Sequence, residues 1–515
     1  MAVDFARQYA RTRPDQSVVP GLIVMALAVL VGLFLLLLNS GLTESYPYFF
    51  ILPWLAALGV VFAAPSAILY YQGKFSFANP IVFATWSYLF PAFVVGGFVL
   101  AAGWSEPYFL VLIQDPENDL PYTIILIMLG FVGLSFGYFL PAGERVGATV
   151  SRVLSNRTYE TSSYLLPGLF LLVLGVMNSI IALALGLFGF QRAEEISAYD
   201  GLIFLTTLFW LEASFLLWYV LFRQKSWNFT SLLVIAALVI TAISKALLAG
   251  NRGSLIQVFT TVALAYVLSG REFKLKHGFL SGILLFFLLV IGMIYGTTFR
   301  SVKGSESVQS IDRYTENVFN TIDQLGRSDN LALLQYGFTN LAERIDVLST
   351  VAVVVSNYEK LAPYEESYGL DNNIWRDTTT FFIPRVIWPD KPLASEPRSY
   401  SALYFNFGEN SFAITPFGDL LRNFGPWGVP LGMLVLGFIL RVIYRSLVED
   451  QAHITWKATL YFMLLTSVSY EAFFGTIIPY LVKFGFTAVI GVMIVNFLAK
   501  KTGRIGKSPS ITTAA

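Results

Sequence analysis

Arg252 stands in the four-residue junction 251–254, "NRGS", between two apolar segments of the sequence. A guanidinium is always charged and holds phosphate oxygens through two parallel hydrogen bonds. Arg300 directly follows a later apolar segment, and Arg385 and Lys391 share the stretch "FFIPRVIWPDKPLASEPRSY". Because proline restricts φ, this stretch is expected to hold its cations rigidly. These residue types predict a site for a phosphate-bearing substrate.

Other cations could extend such a site. Lys245 lies seven residues before Arg252, which is about two helical turns on the same face. Arg344 and Arg376 lie in the same part of the chain as Arg385. Each cation also has a simpler interpretation, in which it solvates a surface or, for Lys245, extends to the lipid headgroups.

Two further arginines are assigned to that simpler role. Arg313 and Arg327 each have an acidic residue three or four positions away, the spacing of a pair on an exposed helix.

The composition sets the class of protein that must position these groups. The chain has 515 residues, of which 56% are hydrophobic and 13% are charged, against about 25% charged in soluble proteins. Several apolar runs of about 18 residues or more predict an all-α polytopic membrane protein. Cysteine is absent, which excludes disulfides and thiolate metal sites. Neither a phosphate-binding glycine loop nor a helical zinc motif occurs.

Hydropathy predicts twelve spans. The run Val18 to Leu38 is too long for a signal-peptide core and is interpreted as a retained first span. The predicted limits are 18–40, 47–71, 80–103, 121–141, 163–189, 200–222, 231–249, 254–270, 279–298, 426–448, 457–475 and 478–499.

Loop charges orient these spans, because Lys and Arg accumulate on the cytoplasmic side. Both tails and the loops after even-numbered spans are basic, whereas the second loop on the other face is acidic. The sequence therefore predicts N-in, C-in topology in the cytoplasmic (inner) membrane. Arg192 and Arg252 are the exceptions on the outer face, and Arg192 has Glu194 and Glu195 beside it.

Four regions follow. Residues 1–298 hold spans 1–9, 299–425 form a large extracytoplasmic helical loop domain, 426–499 hold spans 10–12, and 500–515 form a basic cytoplasmic tail. The loop domain contains "VQSIDRYTENVFNTIDQL" and "LAERIDVLSTVAVVVSNY", whose apolar residues recur at helical spacing. The proline-rich stretch is predicted to be an irregular loop on the membrane surface.

Charges within spans predict a cavity, because a charge in a bilayer is costly unless it is paired or hydrated. Lys245, Glu471 and Lys483 all fall in the outer halves of their predicted spans, so the cavity would open outward. Snorkelling of the two lysines is the alternative. Glu212 and Arg441 fall nearer the middle and the inner half of their spans.

Aromatic side chains of the loop domain offer stacking surfaces for sugar rings. Trp388 and Tyr404 are taken as the candidates, and packing in the domain core is the alternative for each.

The chain resembles the Wzy-type oligosaccharide repeat-unit polymerases, also called O-antigen polymerases. The resemblance rests on the dozen spans with one late outer loop, and on "GNRGSLIQ", "IPRVIWPDKP" and "ITPFGDLLRNFGPWGVPLG". It is best over residues 230–445. It implies a membrane-embedded glycosyltransferase of the C type, which needs no metal or other cofactor. Such an enzyme transfers a growing glycan from polyprenyl diphosphate to the next lipid-linked repeat unit, with inversion at the anomeric carbon.

That resemblance implies roles for the cations. Arg252, Arg300 and Arg385 would stabilise the diphosphate leaving group, and Lys245, Arg344, Arg376 and Lys391 would support substrate binding. A carboxylate could accept the proton of the attacking hydroxyl. The sequence does not separate the four candidates for this base, of which Glu409 precedes the "NSFAITPFGD" stretch: they are Asp377, Asp390, Glu396 and Glu409.

The expected product is a surface polysaccharide such as O-antigen, capsule or exopolysaccharide. Expected partners are the lipid-linked donor and acceptor, the bilayer, a chain-length regulator and a flippase, with no nucleic acid. An O-antigen ligase is an alternative, but the related ligases use an outer-loop histidine, and His277 and His453 both map to cytoplasmic loops.

A second alternative is a transporter of lipid-linked glycans, although no inverted repeat is evident. The third is a transferase that uses polyprenyl-phosphate sugars and a first-loop acid, and the short first loop carries only Glu44.

Overall fold

A computed structural model describes most of the chain. The described residues are 46–156, 159–185, 200–224, 226–249, 252–271, 282, 287, 290–292, 294–299, 301–303, 311–327, 330–383, 387–388, 390–391, 395–408, 411–449 and 451–502. The predicted first span, 18–40, lies outside them.

The described residues fold into helices joined by turns and loops. Sixteen helices are numbered here in chain order: α1 Leu52–Tyr71, α2 Pro80–Ala101, α3 Pro116–Phe139, α4 Pro141–Val153, α5 Leu165–Ala184, α6 Asp200–Arg223, α7 Phe229–Ala249, α8 Arg252–Leu268, α9 Ile311–Arg327, α10 Asn330–Ile345, α11 Val347–Leu361, α12 Asn373–Thr380, α13 Pro397–Phe405, α14 Pro416–Leu447, α15 Thr455–Ser467 and α16 Phe474–Thr502.

Seven of the described helices are long and apolar enough to cross a membrane, which makes the chain a helical membrane protein. They are α1, α2, α3, α5, α6, α14 and α16. The predicted spans 231–249 and 254–270 are the helices α7 and α8, whose apolar parts, Phe229–Lys245 and Ile256–Leu268, are shorter. Of the predicted span 279–298, residues 290–292 and 294–298 are helical, with helical residues again at 301–303.

The predicted span 457–475 is wrong at its C-terminal end. Helix α15 stops at Ser467, and residues 468–473 form a non-helical connection to α16. Glu471 is therefore an exposed residue of this connection rather than a charge inside a span. Hydropathy missed the break because the connection is itself largely apolar.

Helix α14 begins ten residues before the predicted span at 426–448. It bends at Gly425, which has φ 70° and precedes Pro426. Glycine adopts positive φ without steric cost, and proline cannot donate the helical hydrogen bond that would keep the axis straight. Residues 416–424 thus form an extra helical segment in front of the span. This segment carries Asp419, Arg422 and Asn423.

Helices α3 and α14 pack backbone to backbone. A Cβ atom at Gly133 or Gly137 of α3 would overlap the carbonyl oxygens of Pro430 and Leu434, and a Cβ at Gly437 of α14 would overlap that of Leu134. Small residues at such spacing allow membrane helices to approach closely. This contact anchors the span that the extra segment precedes.

Loops predicted to share a face contact each other. Arg223 donates to the carbonyl oxygen of His453 at 2.6 Å, and Lys457 donates to the side chain of Asn156 at 2.8 Å. At the other end of the bundle, Ser105 donates to Asp346 at 3.1 Å, and Tyr108 donates to the Phe405 carbonyl at 2.9 Å. Which end faces the cytoplasm stays a prediction.

The helical patterns predicted within 299–425 are confirmed as α9, α10 and α11. Residues 347–355 of α11 are all buried, and they belong to the same hydrophobic core as α3 and α14. Residues from the large loop therefore complete the core at this end of the bundle, because α11 is apolar around most of its circumference.

Candidate functional site

The α7–α8 hairpin holds a lysine inside the apolar bundle. The Lys245 Nζ donates to the Gln257 Oε1 at 3.1 Å and lies 5.0 Å from the ring centre of Trp210 on α6. Because α7 ends at Ala249 and α8 begins at Arg252, the hairpin turn lies about one helical turn, roughly 5 Å, beyond this hydrogen bond.

A small cavity surrounds the Lys245 ammonium. Its volume is about 30 Å³, enough for a water molecule but too small for a sugar. Its lining comes from three helices: Trp210, Leu211, Ser214 and Trp218 of α6, Leu238, Ala242 and Lys245 of α7, and Gln257, Val258 and Thr261 of α8. The described partners of Lys245, Gln257 and Trp210, are neutral, so neither of them offsets its positive charge.

A second polar cluster lies at the start of α14, where Arg422 is fully buried. Its guanidinium bonds the Glu365 carboxylate through Nη1 at 2.9 Å and the Asp419 carboxylate through Nη2 at 2.9 Å. The same guanidinium donates to the Leu370 carbonyl and to the side-chain oxygen of Asn373. We call Glu365, Asn373, Asp419 and Arg422 the Arg422 cluster.

Other groups complete the Arg422 cluster. The Asp419 carboxylate also accepts from the Gly475 backbone N–H at 3.1 Å, and Glu365 accepts from the Tyr404 hydroxyl at 2.7 Å. Burial, followed by the Glu365 carboxylate, raises the pKa of Tyr404 far above its ordinary value. The cluster therefore fixes α12, α13, α14 and the start of α16 to one another. With its carboxylates already bonded, it positions these elements rather than reacting.

Helix α12 connects the Arg422 cluster to the proline-rich loop through hydrogen bonds. Asn373 belongs to the Arg422 cluster, while Asp377 accepts from the backbone N–H of Ser395 at 3.2 Å. Arg376 donates to the Ser395 hydroxyl at 2.8 Å and pairs with Asp377 at 3.4 Å. The two ends of the segment 378–394 are thereby held together. Within it, the Lys391 Nζ donates to the Ile383 carbonyl at 3.0 Å.

The predicted site residues fall in different places. Arg300, Arg385 and Glu409 lie outside the described residues, and of Arg252 only the backbone is described, at the first position of α8. Lys245 lines the small cavity, whereas Arg376 and Lys391 belong to α12 and the loop that follows it. Their roles stay predictions.

The remaining candidates differ in exposure. Tyr404 is buried, as the core-packing alternative expected, and Trp388 is 37% exposed. Arg344 lies, partly buried, in the last turn of α10. Among the candidate bases Asp377 is buried, while Asp390 and Glu396 are exposed.

The polar partners that the tertiary structure supplies are not evident from the sequence. Gln257 and the Arg422 cluster were not singled out as sites, although Asp419, Arg422 and Asn423 lie in the quoted "ITPFGDLLRNFGPWGVPLG" stretch. The available signal was an arginine three residues after an aspartate, separated from it by two leucines within a largely apolar stretch. Among the described residues, no three or more His, Asp or Glu side chains converge as a metal site would require.

The fold and these clusters define a polytopic helical membrane protein with cations enclosed among its helices. The chain belongs to the family defined by a domain of unknown function, DUF8712, whose model matches residues 155–452, more than half of its length. No curated protein matches it, and no solved structure matches it either.

Proposed function

We propose that this protein polymerises polyprenyl-diphosphate-linked oligosaccharide repeat units at the outer face of the cytoplasmic membrane. The observation that carries the proposal is Lys245, a cation held among neutral partners about one turn below the junction that carries Arg252. A lipid diphosphate is the anion that reaches such a depth, because its polyprenyl tail keeps it at the bilayer. The motif resemblance to the Wzy-type polymerases supports the same substrate.

In the proposed reaction, a sugar hydroxyl of the acceptor attacks the anomeric carbon of the donor glycan. The bond from that carbon to the diphosphate oxygen breaks, and polyprenyl diphosphate leaves with the electron pair. Arg252, Arg300 and Arg385 would stabilise the charge that develops on the diphosphate. A carboxylate, with Glu409 as the first candidate, would take the hydroxyl proton.

The α12 arrangement is consistent with a substrate-positioning role for the proline-rich loop. Arg376 donates to the Ser395 hydroxyl, and Asp377 accepts from the Ser395 backbone N–H. Both ends of the loop that holds Lys391 are therefore attached to α12. Positioning of a charged group before the reaction is what electrostatic catalysis requires.

The deciding experiment uses the full chain in liposomes with a synthetic polyprenyl-diphosphate oligosaccharide as the sole substrate, in the presence of EDTA. A ladder of longer lipid-linked glycans is expected without nucleotide. Movement of unchanged substrate across the bilayer would instead indicate the transporter. A parallel reaction that also contains lipid A tests the ligase, which would transfer glycan to lipid A and form no ladder.

Site variants extend this test. Arg252→Ala, Arg300→Ala and Arg385→Ala are each expected to abolish the ladder while the protein keeps its size-exclusion profile. Arg252→Lys should also lose most activity, because an ammonium cannot form the bidentate contact. Full activity in all three alanine variants would eliminate the arginine mechanism.

A further inference from the structure

Helix α14 has an exposed apolar stripe that crosses its bend. Of four exposed side chains, Phe424 lies directly before the bend at Gly425, and Trp427, Leu431 and Val435 follow it at spacings of four residues, which places these three on one helical face. The exposed fractions of the four are 43%, 79%, 62% and 51%. Leu431 and Val435 belong to the part of α14 that is long and apolar enough to cross a membrane, where an uncovered apolar face is expected to meet lipid tails.

The same surface continues onto α12. The ring of Trp375 contacts the ring of Phe424 edge-on, with centroids 6.3 Å apart, and Trp375 is 61% exposed. Its helix presents Asn373, Ile374 and Asp377 to the protein. Trp375 therefore extends from the side of α12 that the protein leaves uncovered.

We propose that the lipid stripe, defined as Trp375, Phe424, Trp427, Leu431 and Val435, is seated in the bilayer, with both tryptophans at the boundary between headgroups and acyl chains. Continuity with the span surface selects lipid as the occupant. Tryptophan is enriched at that boundary because its ring is apolar while its indole N–H bonds water and headgroups. Helix α12 is thus a membrane-surface helix.

The Arg422 cluster sets the depth of this helix. Asn373 is bonded to Arg422 and Asp419 within the protein, only two residues from Trp375. The hydrogen bonds of Asn373 therefore hold one side of α12 against the protein, and Trp375 holds the other side in the membrane. Phe382 and Ile387, in the segment after α12, are 65% and 75% exposed, as expected for a segment that stays at the membrane surface.

The absence of cysteine makes the test direct, since single cysteines can be introduced without removing any. Trp375→Cys, Trp427→Cys and Val435→Cys would each be labelled with a nitroxide in the full chain, in vesicles of phosphatidylcholine and phosphatidylglycerol. Collision with oxygen and with a water-soluble nickel chelate gives the depth of each label. Tyr364→Cys is the matched control, because Tyr364 is 59% exposed in the same predicted outer region and lies outside the stripe.

The labels at 375 and 427 are expected to exclude the nickel chelate at least tenfold better than the label at 364, and the label at 435 should be deeper still. Leu431→Cys is a replacement if one tryptophan variant does not fold. Equal chelate access at 364, 375 and 427 would overturn the proposal. Strong spin–spin broadening at 427 would also overturn it, because two labels close together would mean that the stripe contacts a second copy of the chain. Neither result depends on glycan transfer.

Discussion

The Lys245 ammonium on α7 and the Gln257 side-chain oxygen on α8 are joined by a hydrogen bond of 3.1 Å. These residues are twelve positions apart and lie on opposite arms of a hairpin whose turn precedes Arg252. The bond satisfies one of the three ammonium donors without neutralising its charge. A lysine used only for packing would be better served by a carboxylate, so the neutral partner favours an anion-binding role.

Lys245→Met is expected to lower the affinity for the lipid-diphosphate substrate about 10- to 100-fold, because a hydrogen bond to a charged group contributes about 1.5–3 kcal/mol. The change should appear as a raised KM in the liposome assay. Ser244→Ala is the matched control, since Ser244 is the exposed neighbour on the same helix.

Gln257→Glu provides a sharper version of the same test. It keeps the lysine but supplies a carboxylate that neutralises it, so it should impair substrate binding as Lys245→Met does. Normal binding with a more stable protein would show that Lys245 acts only in packing.

Arg422→Met is expected to destabilise the fold by about 3–5 kcal/mol, because two buried carboxylates lose their cation. Thermal unfolding followed by tryptophan fluorescence would detect this loss. Arg398→Met, at an exposed position of α13, should change the unfolding temperature little.

The cause of the lost stability in Arg422→Met can be checked by also removing the two buried carboxylate charges. Arg422→Met combined with Glu365→Gln and Asp419→Asn is expected to recover part of the stability, because no buried charge is then left alone. A triple variant no more stable than Arg422→Met would contradict this account.

Asp346 should give stability a specific pH dependence. This carboxyl accepts from the Ser349 N–H and the Ser105 hydroxyl, but its burial dominates and raises its pKa from 3.8 to about 6. A raised folded pKa means that the folded state binds the proton more tightly than the unfolded state. Stability from this group is therefore present below pH 4 and is lost as pH rises to about 6, by about 3 kcal/mol in all.

Asp346→Asn is expected to remove this decrease of stability with rising pH, while its amide keeps an oxygen that caps α11. The measurement is the unfolding temperature of both proteins from pH 4 to pH 7, where their difference isolates Asp346 from other groups. Asp312→Asn, at an exposed position of α9, should leave the slope unchanged. If Asp346→Asn retained the wild-type slope, burial would not govern this carboxyl.

Gly137→Ala is expected to destabilise the bundle by about 1–3 kcal/mol, the usual effect of overpacking. A Cβ at this position would overlap the Leu434 carbonyl, and a backbone carbonyl moves only with its helix. Gly201→Ala is the control, because no atom lies near the position of its Cβ. Equal unfolding temperatures for the two variants would show that α3 and α14 are not closely packed.

Much of the architecture follows from local sequence. The membrane class and the positions of α1, α2, α3, α5 and α6 follow from apolar runs, because each span must shield its own backbone from lipid. Helices α9, α10 and α11 follow from the spacing of apolar residues. The end of α15 and the extra segment before Gly425 do not follow, since backbone conformation there depends on contacts made after the helices pack.

The candidate site divides in the same way. Sequence by itself determined that cations gather near predicted membrane boundaries, since Lys245 and Arg252 are close along one chain. Only the tertiary structure decided that Arg422 belongs with Glu365, 57 residues earlier in the sequence, and that Lys245 belongs with Gln257. Hydropathy and periodicity are sums over neighbouring residues. The partner of a buried charge is instead chosen by which helical faces meet, because only a contacting group can replace the water that the charge has lost.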